Sequence, residues 1–313
     1  MMEVFVSPVT DPALNMGLES FFLNQYEGEG CLVYRNEPCV VVGKNQNPYL
    51  EVDVRFCKDQ GLPVLRRISG GGTVYHDLGN INTAFFGVRK NIAENLYARW
   101  TEPPIQFLKS WGLIAERDGR NGLEVKGKKI SGSAQALKLG RFLHHATLLY
   151  SSDLAVLDAC LTPVGGLVDG RGISSQRGPV TNLFEEFENA DDVEVFQSRW
   201  VEFLVDSFGG EGTSSVPKAA SKVVQELVHA QFSRWEWNIG RTPKFKFRLP
   251  VKEDRLVFEV KKGLIEKVYL EKNVLLDPLM DNGLLGEEFT LSSLLKAGIG
   301  TLCPEVVNLV FGK

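Results

Sequence analysis

Apolar residues along the chain change period several times, and each change predicts an element. In DPALNMGLESFFLNQ, Leu14, Leu18, Phe21 and Phe22 recur at helical spacing behind Asp11, a capping residue, and Pro12, which suits a first helical turn. CLVYR and CVVVGK are short apolar runs separated by NEP, which predicts a hairpin. EVDVRFCKDQG reads as a helix ended by Gly61, and LPVLRRIS as a strand that leads into Gly70, Gly71 and Gly72. NINTAFFGV predicts another strand, and ENLYARWTEPPIQFLKSWG helical material interrupted or restarted at Pro103 and Pro104. LEVKGKKISGSAQAL predicts a hairpin turning at Lys126 and Gly127, and RFLHHATLLYS a further strand.

From about residue 191, DDVEVFQSRWVEFLVDSFGG and SSVPKAASKVVQELVHAQF read as amphipathic helices, the second capped by Ser215 with Pro217 in its first turn. KFKFRLPV and RLVFEVKKGLIEKVYLE alternate as strands, with a turn at Lys262 and Gly263, before a short helix at SSLLKAG. Strands outnumber crossover helices, so the expected fold class is α+β with a mixed or antiparallel sheet. No G-x-G-x-x-G stands in the glycine loop. The 313 residues suit two domains, and the change of pattern places the expected boundary near 235, giving 1–235 and 236–313.

A chain that is 43% hydrophobic and 24% charged is globular. Its net charge of -4 argues against nucleic-acid binding through a global positive field, so an anionic ligand has to be met locally. Cys31, Cys39, Cys57, Cys160 and Cys303 are scattered and form no Cys-x-x-Cys, which suggests neither a disulfide framework nor a zinc site. The N-terminal stretch has no signal-like apolar core and no run of 18 apolar residues occurs, so the expectation is a cytoplasmic protein without a membrane span.

Three segments carry candidate chemistry. Three glycines beside Arg66 and Arg67 let backbone N–H groups close around an anion while an arginine adds charge-assisted hydrogen bonds; the plain alternative is a tight sheet turn with two solvated arginines. In KGKKISGSAQ, strand alternation sends Lys128 and Lys129 to opposite faces, so one lysine can face a pocket and stabilise charge on a phosphate, unless the segment is simply a solvated hairpin tip. DGRGISSQRGPVTNL, residues 169–183, is too irregular for helix or strand and reads as a lid that excludes water, or as a surface loop. His144 and His145 point to opposite faces of a strand and make a poor chelate, and no basic residue close in sequence activates Cys160.

RRISGGGTVYHDLGNIN, KGKKISGSAQ followed by HHATLLY, and GISSQRGPVTNL resemble, in this order, the signature segments of lipoate-protein ligases, and RNEPCVVVGKNQNPYLE is similar to theirs too. WEWNIGRTPKF, residues 235–245, resembles the start of the accessory domain of those ligases and of the mammalian lipoyltransferase. The resemblance implies a catalytic domain like that of biotin ligases and class II aminoacyl-tRNA synthetases, and a small accessory domain. It also implies a two-step reaction: lipoate and ATP, with Mg2+, give lipoyl-AMP, and a lysine of an acceptor then takes the lipoyl group. The implied acceptors are lipoyl domains of 2-oxoacid dehydrogenase acyltransferases and the glycine-cleavage H protein.

By motif position, Lys129 would be the catalytic lysine. Arg67, Gly70, Gly71, Gly72, Thr73, Val74, Tyr75, His76, Asn82, Ser131, Gly132, Ser175, Val180 and Asn182 would bind ATP and lipoyl-AMP; no metal ligand is assigned. Phe85, Phe86 and Val40 to Val42 are candidates for a lipoyl tunnel as well as for core. Two departures stand out: Arg120-Asn121-Gly122 where the ligases carry Arg-Asn-Asp, and Gly178-Pro179 where they carry Ser-Arg. The alternatives are a lipoyltransferase that uses lipoyl-AMP or a lipoylated carrier, and a binding module without catalysis. An octanoyltransferase with a catalytic cysteine is disfavoured, since the segment before KGKK offers Arg120-Asn121-Gly122 and no cysteine.

Overall fold

The computed structural model describes residues 2–89, 91, 93–163, 167–170, 172–251, 253–272 and 283–296. In chain order the first elements are β1 (Glu3–Val6), α1 (Pro12–Asn24), β2 (Gly30–Tyr34), β3 (Cys39–Val42), α2 (Pro48–Glu51), α3 (Val54–Asp59), β4 (Val64–Arg66), β5 (Val74–His76) and β6 (Asn80–Val88). There follow α4 (Leu96–Ser110), β7 (Glu116–Arg117), β8 (Gly122–Val125), β9 (Lys128–Lys138), β10 (Arg141–Leu149), α5 (Leu154–Cys160) and β11 (Val168–Gly170). The remaining described elements are α6 (Val193–Ser207), α7 (Lys218–Leu227), α8 (Trp235–Asn238), β12 (Phe245–Val251), β13 (Asp254–Lys261), β14 (Leu264–Leu270) and α9 (Leu291–Lys296).

Among these residues the strands form three sheets. The largest runs β1-β2-β6-β10-β9-β8-β7 and is antiparallel except for the parallel β1/β2 pair; the others run β11-β12-β13-β14 and β4-β3-β5. The fold is therefore α+β with mixed and antiparallel sheets, as expected. Period-two alternation in β6 explains why the large sheet is covered twice. Ile81 and Phe85 pack on one face with Trp100 of α4 and Trp200 of α6, while Ala84 and Phe86 pack on the other with Phe21 and Phe22 of α1 and Val224 of α7.

Several local expectations hold. Asp11 accepts from the Leu14 amide at 2.8 Å to cap α1, and the turns at Lys126-Gly127 and Lys262-Gly263 have left-handed backbone at both positions, the geometry that suits a two-residue hairpin. α9 covers SSLLK of the expected helix, whose last two residues, Ala297 and Gly298, lie outside the described residues, as do Arg171 and Cys303.

Other expectations need correction. CLVYR and CVVVGK form no hairpin: β2 lies between β1 and β6, and β3 between β4 and β5. Cys39 and Val41 face one core and Val40 and Val42 another, so β3 is buried on both faces as the middle strand of its own sheet. The helix expected in EVDVRFCKDQG is broken before Asp53, which caps α3 by accepting from the Phe56 amide at 2.8 Å. α4 runs unbroken through Pro103 and Pro104. The penalty of about 3 kcal/mol for an interior proline is offset by burying Trp100, Pro104, Phe107 and Leu108 on its inner face, at roughly 1.5–3 kcal/mol for each large side chain. Ser215 does not cap α7; the extended Pro217 holds the cap position and no side chain serves there. Finally, Val168, Asp169 and Gly170 pair with Phe247, Lys246 and Phe245, so the start of the segment read as irregular is a strand.

Candidate active site

A cavity of about 600 Å³ opens where the glycine loop, between β4 and β5, faces β9, β10, α1, α5 and residues 173–178. Its walls differ in character. Leu149, Leu154, Leu157 and Leu161 make one side apolar, and Arg67, Arg120, Lys129 and Arg177 bring positive charge to a chain whose net charge is negative.

The neighbouring arginines go to different places. Arg66 is wholly buried, and its guanidinium donates to the carbonyls of Gly43 (3.0 Å), Gln46 (2.7 Å), Trp237 (3.1 Å) and Asn238 (3.0 Å). It fastens the 43–46 turn to α8 and is not part of the cavity wall, so of the two arginines only Arg67 remains as an anion-binding candidate. Arg67 does line the cavity, but it also organises the loop: Nη2 donates to the carbonyls of Gly70 and Gly72, both at 2.6 Å, and Nη1 to Val41 at 3.1 Å. The loop carbonyls are thus turned onto the arginine. Burial lowers the Arg67 pKa to about 10, partly offset by Glu19, so the guanidinium stays charged near neutrality.

The counter-charge reaches Arg67 through a relay. Arg67 Nε donates to Ser69 Oγ at 3.0 Å, Ser69 Oγ lies 2.6 Å from His145 Nε2, and His145 Nδ1 lies 3.0 Å from both carboxyl oxygens of Glu19, which also accepts from Tyr34 at 2.8 Å. His144, on the opposite face of β10, instead packs in the core beside Phe85 and Tyr97.

Two buried donors on residues beside the cavity have no protein partner among the described residues. His76 Nδ1 is engaged by the Asn36 amide at 3.0 Å, which leaves Nε2 to carry the proton and find no acceptor. Asn82 Oδ1 accepts from Asn80, while its Nδ2 is unpaired. Burial, with the charges of Arg67 and His145, pushes the His76 pKa down to about 3, so this imidazole is a neutral donor.

Lys129 approaches from β9. Across the β8/β9 hairpin, Leu123 pairs with Ser131 and Glu124 with Lys129, so Ile130 is a bulged residue; it fills the core while Lys129 and Ser131 face the cavity. Lys128 is exposed, in keeping with the expected split of the two lysines, and Lys126 pairs with Glu186 at 2.7 Å at the hairpin tip. Lys129 Nζ lies 3.2 Å from Asp118 Oδ2. Burial acts to raise the Asp118 pKa, but the amides of Gly122 and Arg120 and the Lys129 ammonium outweigh it and hold the carboxyl below its ordinary range.

Residues 173–181 are laced to both sides of the cavity. Ser175 Oγ accepts from the Thr73 amide (2.8 Å) and from Gln46 Nε2 (3.0 Å), and Glu51 accepts from the Ser175 amide. Further on, the Lys129 amide donates to Pro179 O and the Thr181 amide to Lys129 O. The departure at Gly178-Pro179 thus lies where main-chain bonds, not side chains, hold the segment.

Of the residues assigned by motif, Arg67, Gly71, Gly72, Thr73, Val74 and Tyr75 line this cavity. So do His76, Asn82, Lys129, Ser131, Gly132, Ser175 and Val180. Gly70 and Asn182 do not: Gly70 offers its carbonyl to Arg67, and Asn182 is spent on the backbone of Ser152. Phe85 stacks on Trp100 at 4.5 Å and Phe86 on Phe22 at 4.3 Å, both in core, and of Val40 to Val42 only Val41 reaches the cavity. The apolar wall comes instead from Leu154 and Leu157 of α5 and its C-cap residue Leu161, which were detectable by their one-face spacing. Glu19 and Glu51 left no local signal, because their partners His145 and Ser175 are distant in sequence, and Gln46 and Asp118 were not singled out although part of their bonding is within their own turns.

A family model described as the lipoyl protein ligase A/B catalytic domain matches residues 11–205. The chain is 35% identical over 269 residues to the lipoate-protein ligase LplJ of Bacillus subtilis, an overlap of 82% of this chain and 80% of that one. It is 34% identical over 267 residues to lipoate-protein ligase 1 of Staphylococcus aureus, an overlap of 82% and 80%. Among solved structures, a lipoate-protein ligase A superposes with a TM-score of 0.66 at 22% identity, covering 77% of this chain and 99% of that one. The architecture is that of the lipoate ligase fold. The chain belongs to the lipoate-protein ligase family.

Proposed function

We infer that the chain is an ATP-dependent lipoate-protein ligase. A lipoate carboxylate oxygen attacks the α-phosphorus of ATP and pyrophosphate leaves; the ε-amine of an acceptor lysine then attacks the acyl carbon of lipoyl-AMP, the anhydride C–O bond breaks, and AMP departs. The observation that carries this reading is one cavity joining a glycine loop, an inward lysine and an apolar wall, in a member of this family. Relatives of the same fold are described as bound with ATP and with lipoic acid.

In this reading Lys129 is the catalytic residue. Its ammonium draws charge from the acyl oxygen and the phosphate as negative charge moves onto AMP. Arg67 gives the glycine loop its shape and its positive field, and Gly71 to Tyr75 offer close backbone approach to the phosphates. His76 and Asn82 form part of the polar wall of the pocket. Ser131, Gly132, Ser175 and Val180 close the walls, and the α5 leucines with Leu149 take the lipoyl tail. Among the described residues no group of three or more His, Cys, Asp or Glu side chains could hold a metal ion. Mg2+ would come with the triphosphate, whose oxygens would hold it.

Acceptors of this reading are lipoyl domains of 2-oxoacid dehydrogenase acyltransferases and the glycine-cleavage H protein; one archaeal relative of the same fold is described together with its E2 lipoyl domain. Residues 1–235 form the catalytic domain and 236–313 the accessory domain. Among the described residues no helix is long and apolar enough to cross a membrane, and the cytoplasm, where ATP and acceptors meet, is the proposed location.

The test is the intact mass of a purified lipoyl domain after incubation with this protein and lipoate, with and without Mg-ATP, and separately with synthetic lipoyl-AMP. A mass gain of one lipoyl group that requires ATP supports the ligase. A gain with lipoyl-AMP alone overturns it in favour of a transferase.

A further inference from the structure

Gly122 and Asp118 occupy one small space beside Lys129. A Cβ built on Gly122 would lie 2.4 Å from Ser131 O, 2.6 Å from Asp118 Oδ2 and 2.9 Å from Lys129 Cε. A side chain at 122 and the carboxylate of Asp118 therefore exclude one another. Asp118 is held there by its own turn: Oδ1 accepts from the amides of Arg120 and Gly122, both at 2.9 Å, while Oδ2 is left to face Lys129 Nζ at 3.2 Å. The two oxygens divide the work, one folding the turn and one meeting the lysine.

We propose that Asp118 is a positioning residue that acts through Lys129, and that glycine at 122 is what allows its carboxylate to stand beside the ammonium. The role rests on Lys129 being the catalytic lysine of the ligase reading. Lys129 leaves β9 at a bulge, where its direction is not fixed by regular strand geometry, and its side chain is only partly buried. A negatively charged acceptor at 3.2 Å selects the rotamers that place Nζ at the cavity wall before the anionic substrates enter. When they do, the ammonium already lies where the adenylate phosphate needs it, and no conformational search is added to the reaction.

Asp118→Asn separates the two oxygens. Asparagine keeps Oδ1 as the acceptor for the turn amides and replaces the carboxylate oxygen with an amide that repels the ammonium. The variant is expected to melt with the native protein, to keep its KM for ATP, and to lose roughly ten- to a hundredfold in kcat for lipoylation. Asp118→Glu is expected to recover part of that loss. Independently of activity, trace acetylation of the protein followed by peptide mass analysis is expected to label Lys129 several-fold faster in Asp118→Asn, because its amine has lost its partner.

A native protein that fails to lipoylate would remove the ligase reading, and the labelling of Lys129 would still decide the pairing. An active native protein with an equally active Asp118→Asn variant, or unchanged Lys129 labelling, overturns the positioning role. Gly122→Ala is not the deciding variant, since its methyl group would meet the Ser131 carbonyl at 2.4 Å as well as the carboxylate; Asp118→Asn leaves the strand pairing intact and decides the role.

Discussion

Replacing Arg66 with methionine keeps much of its volume and removes its charge and all of its donors. The structure assigns this arginine to architecture, so the loss is expected in stability. Gln46 O, 2.7 Å from Nη1, and Asn238 O, 3.0 Å from Nε, are buried acceptors that would be left facing an apolar side chain. At roughly 1–3 kcal/mol for each buried group left unpaired, these two alone cost about 2–6 kcal/mol, a large part of the 5–15 kcal/mol typical of a whole fold. For a chain of this size that lowers Tm by at least about 3 °C. Calorimetry with ATP titrations on the surviving folded protein checks it. Thermal loss with an unchanged ATP affinity is the expected pattern. A variant that melts like the native protein but no longer binds ATP would refute the assignment and return Arg66 to the nucleotide site.

Stability is expected to fall in acid through two buried imidazoles. Burial lowers the pKa of both His76 and His144 to about 3, against 6.5 for a free side chain. Between those values the unfolded chain binds protons that the folded chain refuses, so this stability is complete above pH 6.5 and drains as pH falls, by about 2 kcal/mol per histidine at pH 5. Urea midpoints at pH 7.5 and 5 measure it, and His76→Asn should remove about one proton from the slope; an unchanged slope contradicts it. Gly43→Ala would bring a methyl group to 2.2 Å from Gly71 O, displacing the glycine loop. A rise of at least about tenfold in the KM for ATP is expected, since small displacements of a binding loop are costly in such sites, and a normal KM would show that the loop tolerates the intrusion.

What was legible in the sequence was local. The Asp11 cap, the left-handed turns at 126–127 and 262–263, and the split of Lys128 from Lys129 follow from short-range backbone rules, and the structure repeats them. What was hidden depended on which surfaces meet. CVVVGK is apolar on both faces, a pattern equally suited to a hairpin and to the middle of a separate sheet, and only the partners β4 and β5 decide between them. Arg66 and Arg67 are equivalent as letters. Alternation at the end of β4 parts them, but which side holds the cavity is set by α8, more than 170 residues away. The absent carboxylate at Gly122 looked like a loss in the sequence, although Asp118 stands in the same space through a turn that a linear motif does not register.

Lys129 is expected to serve the activation of lipoate by ATP in this cavity. The most direct test omits the acceptor: exchange of labelled pyrophosphate into ATP, catalysed by the native protein and by Lys129→Ala, with and without lipoate. Exchange is expected to require lipoate and to fall at least about a hundredfold in the variant, the scale of losing a charged stabiliser of the transition state. Exchange that is absent from a native protein able to transfer lipoyl from lipoyl-AMP, or exchange that survives the loss of Lys129, would contradict this role.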